Sequence, residues 1–390
     1  MKTFVKSFLP ALALVVISCA KEKISYVEGG DERTTLITDQ AQLNNRIQIY
    51  NTPVYFGKGK AAASPFTYVA KVDPPTVNSV SLWATSVSKQ GDYVYVTYHT
   101  KNDPYGVSIE VIDVSNPSSP VLISQLLLND TDIHEAYPEG SYLFYSGQRD
   151  VFSSPYDTAT GFRGAVAGRI DLSGGVLTST LTESSFKGYA INSITRNGGK
   201  IHMISGDKNG GIILSNFNFV PSTDPKELVD FDNGHFLTRK GSKVVALEGG
   251  QSGSSKVHYY NYQTTKPADA AIYSLPFSTT LLGRNALTID GDDAWLAMGA
   301  DGVVKMSLAD GSYTQYYFGV DDVAKSVAVG TDYLFVAQGN DGLIIVDKNN
   351  PSFPVVGTYD IDEDANDVVY DSGWVFVAQG NGGLRILKKN

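Results

Sequence analysis

One cysteine stands in 390 residues, so no disulfide can form within the chain, and whatever keeps Cys19 there is something other than a cross-link. Basic charge is scarce: 31 Lys and Arg face 41 Asp and Glu, a formal balance of −10. No basic stripe interrupts that surface, which repels phosphate backbones and excludes nucleic acid as a partner. Long apolar runs are missing too. The longest, residues 8–17 in "MKTFVKSFLPALALVVISCAKEK", falls short of the roughly 20 residues that cross a bilayer. The G-x-S-x-G elbow, the H-E-x-x-H pair and the Walker loop are all lacking, and so are the Asp-box, the WD dipeptide and the kelch double glycine. That weakens an enzyme reading, although sites assembled from single residues on several sheets leave no such mark.

What the chain has in quantity is glycine, 38 residues, and tyrosine, 23, a composition of short strands and tight turns. It also repeats itself. Alignment on one apolar strand gives "YVYVTY" at Tyr93, "YLFYSG" at Tyr142, "KIHMISG" at Lys200, "KVVALEGG" at Lys243, "AWLAMG" at Ala294, "YLFVAQG" at Tyr333 and "WVFVAQG" at Trp374. Each has a short alternating strand and a Gly- or Asp-containing turn before it and a third strand after it, such as "VSIEVIDV" or "LIIVDK"; a fourth strand follows in six of the seven copies. A period near forty residues implies a stacked or circular array. Expected from this is an all-β, seven-bladed ring of four-stranded antiparallel sheets. The last copy lacks a fourth strand, and "SPFTYVAKVD", residues 64–73, belongs to no copy; that segment is expected to complete the last sheet and close the ring. The expected division is residues 1–18 as a signal peptide, 19–63 as a polar tether, and 64–390 as the ring, with its sheets starting near residue 80.

The most specific signature joins the third strand to the fourth. Asp113, Asn116, Pro117 and Pro120 recur with the same spacing as Asp347, Asn350, Pro351 and Pro354. Asn-Pro sets a turn, and the second proline opens a strand that is expected to lie on the sheet edge. This turn, with "LIIVD" before it, resembles the LVIVD repeat of bacterial and archaeal surface proteins, which implies a β-propeller. At the other end, Val16-Ile17-Ser18-Cys19 resembles the lipobox of bacterial lipoproteins, and the Ala-Lys-Glu-Lys that follows is similar to the surface-export signal of Bacteroidetes lipoproteins. The implied address is the outer membrane, exposed at the cell surface and anchored by lipid at Cys19. Loss of residues 1–18 removes Lys2 and Lys6 and no acid, leaving a still more acidic mature chain.

In such a ring the loops from second to third strand and from fourth strand to the next first strand share one face. Here the first two copies carry long loops, "HTKNDPYG" and "GQRDVFSSPYDTATGFRGA", and long loops on a rigid ring suit binding. They hold Tyr98, Tyr105, Phe152, Tyr156 and Phe162, aromatics expected to be exposed and suited to sugar rings or peptide side chains. Near-equivalent positions at the start of each first strand read Thr85, His134, Asn192, His235, Asn285 beside Arg284, Lys325, and Asn366 beside Asp367. They are expected to line the mouth of a central channel, as a ligand site or as solvated lining. His134 and His235 lie two copies apart with no third ligand in view, so neither a metal nor a cofactor is expected. "DIDEDAND", residues 360–367, has alanine where a calcium loop needs glycine, and reads as an acidic turn. Three functions remain open: binding of an extracellular glycan or protein by a monomer, a hydrolase or lyase using His134, His235 and Arg284, and a structural subunit of an envelope complex.

Overall fold

The computed structural model describes residues 25–27, 33–55, 63–101, 105–151, 162–250, 254–279, 284–318, 323–359 and 364–390. The signal segment, Cys19, Phe152 and Tyr156 lie outside the described residues, as does the side chain of Phe162.

The molecule is built from antiparallel units of four strands, in which consecutive strands pair as hairpins. The first unit runs Trp83–Gln90, Tyr93–His99, Val107–Asp113, Val121–Leu128. Its third-to-fourth turn is held as the sequence foretells: Asn116 Oδ1 accepts from the Ser118 amide (3.3 Å) and Asn350 Oδ1, in the equivalent turn, from the Ser352 amide (3.0 Å). The first strands of successive units touch in a circuit, Trp83–Gln90, Thr131–Glu139, Ile191–Asn197, Gly234–Lys240, Leu287–Asp290, Ser326–Val329 and Asp367–Asp371, and the last returns to the first. The hydrophobic core is therefore spread around the circuit. Each apolar cluster sits between neighbouring units: Phe144, Phe186, Ile194 and Met203 join the second to the third, and Leu247, Leu287 and Leu296 the fourth to the fifth. Burial from both sides explains why strands such as Tyr333–Ala337 are apolar on both faces.

The final sheet is completed as expected. Strand Ala63–Val72 pairs with Gly383–Lys389, with Val72 opposite Leu384 and Phe66 opposite Lys389. One glycine shows that the arriving strand occupies the ordinary fourth position. At Gly383, where φ is +72°, a Cβ would stand 2.1 Å from the carbonyl oxygen of Val72. Gly211 meets the Val229 carbonyl and Gly302 the Tyr316 carbonyl in the same way. The glycine at this place in the third, fifth and last units is thus a point where third and fourth strands approach too closely for a side chain.

Two expectations need correction. Residues 33–55, read from sequence as part of a tether, are built into the sheets. Thr34–Ile37 adds a fifth strand to Val121–Leu128, Ser25–Val27 does so on Val176–Lys187, and Ile47–Tyr55 lies between Val355–Tyr359 and Ala63–Val72. The fourth strands of these units are accordingly covered and are not outer edges. The segment is polar because only one side of it meets protein, and its anchors are few but buried. Leu43 of the short helix Gln40–Leu43 joins a core cluster. Arg46 is paired with the fully buried Glu110 and donates to the Asp73 carbonyl at 2.6 Å. Arg33 reaches a buried group formed by Asp130, Arg149, Glu183 and Tyr145.

Candidate functional site

The circuit of first strands brings the aligned polar residues together, and local backbone geometry decides how each is presented. In the first four units the ladder between first and second strands skips a residue, and the residues skipped are Thr85, His134, Asn192 and His235. A β-bulge of this kind re-aims one side chain and leaves the following one on the opposite course. Asn285, Lys325 and Asn366 stand just before the first strands of the last three units. The sequence alignment of these seven positions thus reflects a shared place in each unit.

All but Asn285 and Lys325 stay partly exposed, and most are hydrogen-bonded within the protein. Asn192 donates to the carbonyl of Gly234 (2.8 Å) and Asn366 to that of Ala84 (2.8 Å), in each case the carbonyl just before the next unit's bulged residue. Thr85 Oγ1 lies 3.0 Å from Thr97 Oγ1. Lys325 is paired with Asp364 at 2.7 Å and with Asn366 at 3.1 Å. Asn285 is fully buried and its amide meets His235 Nδ1 at 3.3 Å. All of these contacts except that of Thr85, which stays within the first unit, stitch one unit to another.

The residue that follows several of these positions carries the rest of the stitching; Glu135 and Ser193 were missed by the sequence reading, whereas Asp367 was named there beside Asn366. Glu135 accepts from the Ile194 amide (3.2 Å), Ser193 from the Leu237 amide (3.2 Å) and Asp367 from the Val87 amide (3.0 Å). In each pair the side chain of one unit satisfies an inner-edge amide of the next, a donor that a sheet edge would otherwise leave unpaired. Ser326 adds a 2.6 Å bond to Asp367. The signal in the sequence was a polar residue immediately after five of the seven aligned positions, Phe236 and Ala286 being the exceptions, but alternation assigns that residue to the buried face, where a carboxylate is not expected.

Arg284 crosses the space the first strands enclose. Its Nη1 donates to the carbonyl of His134 (3.0 Å) and lies 3.4 Å from Asp367 Oδ2; Nη2 is 3.6 Å from Glu135 Oε1. The guanidinium also faces the ring of Phe236, 5.1 Å from its centroid, a favourable contact for a cation. One side chain from the fifth unit thereby braces the second, fourth and seventh. Burial pushes the Glu135 carboxyl up to about 7, against the opposing pull of Arg284. Burial likewise holds His134 down to about 4, helped by His99 and Arg284 and opposed by a hydrogen bond to Asn192, and holds His235 down to about 4. Both imidazoles are neutral at physiological pH.

The expected aromatic face is thinner than the sequence implies. Tyr98 is fully buried in the cluster between the last and first units, a correction that follows from its inward position on strand Tyr93–His99. Tyr105 is half-buried and its hydroxyl accepts from Gln148 at 2.8 Å. Among the described residues no group of three or more His, Cys, Asp or Glu is placed to hold a metal ion.

Comparison with known proteins agrees with this architecture. Residues 83–127 and 323–360 match the LVIVD repeat, the two units that contain the double-proline turn. No curated protein matches the chain. Among solved structures, the chain is similar to the WD40 β-propeller domain of Doa1 (TM-score 0.55, 8% identity, covering 82% of this chain and 97% of that one). It is also similar to a catalytically inactive virginiamycin B lyase from Staphylococcus aureus with quinupristin (0.50, 12%, 80% and 97%), and to the computationally designed Ika8 protein (0.50, 9%, 81% and 98%). The chain carries LVIVD repeats and has a β-propeller fold.

Proposed function

We propose that this is a seven-bladed propeller, anchored by lipid at Cys19 to the outer membrane and exposed at the cell surface, that binds an extracellular glycan or protein on the face bearing the first and second blades' loops. The observation that carries the reading is that each cation of the rim is paired with a carboxylate. Arg284 is answered by Glu135 and Asp367, Lys325 by Asp364, and His134 and His235 are uncharged. A rim of neutral donors and acceptors on a rigid ring suits uncharged polar groups, hydroxyls and amides, better than ions.

The test is calorimetric titration of the purified ectodomain, residues 20–390, with neutral oligosaccharides and with envelope protein fractions, comparing wild type with a His134→Ala, His235→Ala double variant. Binding lost in the variant supports the reading; undiminished binding moves the site elsewhere. A hydrolase or lyase is the second reading, and one observation favours it: the Glu135 carboxyl, near 7, has the proton affinity of a general acid. Its oxygens are already engaged by Ile194 and Arg284, and the histidines, near 4, are weak bases at neutral pH. Binding is therefore the better account, and turnover of a bound glycan that is lost in Glu135→Gln reverses that preference.

A further inference from the structure

A second site stands on the same face, away from the rim, between the second and third blades. There a cleft of about 260 Å³ opens between the end of strand Val176–Lys187 and the turn that follows strand Lys200–Ser205. Its floor is apolar, made by Phe186, Ile212 and Leu228, the last 37% exposed. Its edge carries Lys187, Asp207, Lys208 and Asp230. Among the described residues none of these four charges enters a salt bridge, in a molecule whose rim charges are all paired.

We propose that this cleft is a subsite for a neutral pyranose, which makes the glycan the ligand class under the binding reading on which the inference rests. Three features of the cleft select it. The four charges that line it are two of each sign, with Asp207 directly before Lys208 in the chain, so they offer acceptors and donors together. Hydroxyl groups both donate and accept and use such a border fully, whereas a zwitterionic peptide end wants its two signs apart. The apolar floor suits the C–H face of a sugar ring. An exposed aromatic follows the cleft in the chain: Tyr189, two residues after Lys187, is 55% exposed, and Arg163 Nη1 donates to its hydroxyl at 3.2 Å, with the guanidinium 5.1 Å from the ring centroid. The backbone between Lys187 and Tyr189 lies against the cleft's edge, since a Cβ on Gly188 would stand 2.9 Å from Asp207 Oδ2. The volume is slightly below the roughly 300 Å³ at which pockets for whole drug-sized ligands begin, as befits one ring of a longer chain.

The experiment is a printed array of neutral and anionic oligosaccharides, followed by titration of any ligand found, using wild type, Tyr189→Ala, Asp207→Asn and the rim double variant. Circular dichroism checks that each variant is folded, and Tyr189 and Asp207 are surface positions whose loss leaves the core intact. Expected is binding of neutral glycans, weakened at least tenfold by Tyr189→Ala and by Asp207→Asn. Neutral binding that survives both substitutions but fails in the rim variant overturns the cleft and leaves the binding reading standing. Binding restricted to anionic glycans, or to peptides, overturns the proposed class. An absence of glycan binding overturns the subsite, and the binding reading then falls only if the protein fractions also fail to bind.

Discussion

Replacing Glu135 by glutamine should abolish a specific part of the protein's pH dependence. The carboxyl goes from an ordinary value of 4.5 to about 7 on folding because burial disfavours its charge more than Arg284, at 3.6 Å, favours it. Between those two values the folded chain holds a proton that the unfolded chain has released. Stability contributed by this group is therefore complete below pH 4.5 and is lost as pH rises through 7. At about 1.4 kcal/mol for each pH unit of difference, the loss comes to about 3 kcal/mol. Glutamine is isosteric, can still accept from the Ile194 amide, and does not titrate. The stability of Glu135→Gln minus that of wild type should thus rise by about 3 kcal/mol from pH 4.5 to pH 8. In urea, with a dependence near 3 kcal/mol per molar, this is a relative midpoint shift of about 1 M. Other shifted groups, Glu110 and Glu227 among them, titrate in both proteins and cancel in the difference. Parallel midpoint curves for the two proteins across this range would refute the argument, because they would mean that Arg284 neutralises Glu135 fully or that water reaches it. Arg284→Met supplies the converse check: without its cation the carboxyl climbs further, and the decline in stability should continue above pH 7.

Two further outcomes test the closure of the ring. Phe66 is fully buried and meets Phe335 and Tyr333 edge-on, with centroids 5.4 and 5.2 Å away; Phe66→Ala should cost about 3–5 kcal/mol, read as a lower thermal midpoint, and a change under 1 kcal/mol would show that the closing strand is not integral to the last sheet. Arg46→Met leaves Glu110 buried without its cation, which should cost about 3 kcal/mol and speed amide exchange through residues 40–55, whereas unchanged exchange there would show that other contacts hold the segment.

The sequence disclosed the sheets and their closure because both depend on local pattern. Asn350 caps a turn within two residues, and Gly383 marks a close approach of third and fourth strands that recurs at the same place in other units, so the same letters recur wherever the geometry recurs. Residues 33–55 escaped this logic. They repeat nothing, and their order comes from long-range partners: Glu110 for Arg46, the strand Val121–Leu128 for Thr34–Ile37. A polar stretch whose buried residues are Leu43 and Val54 looks like a linker until the partners are known.

The rim shows the same division more sharply. Its seven positions could be aligned because each occupies one place in a repeated unit, yet their roles could not, because a bulge reverses the ordinary alternation at the point where it matters. Alternation puts Glu135 and Asp367 inward and forbids them; the bulge, or the strand start that replaces it, turns them toward the neighbouring blade, where an edge amide and a guanidinium receive them. A carboxylate is the side chain best able to accept from an inner-edge amide and a cation at once, and the blades of Glu135 and Asp367 use it. Arg284 can occupy the enclosed space only because both acids are there. The arginine and the acids therefore form a unit that brings order to the ring, and the rim it leaves behind, each cation paired with a carboxylate, is a consequence of that pairing.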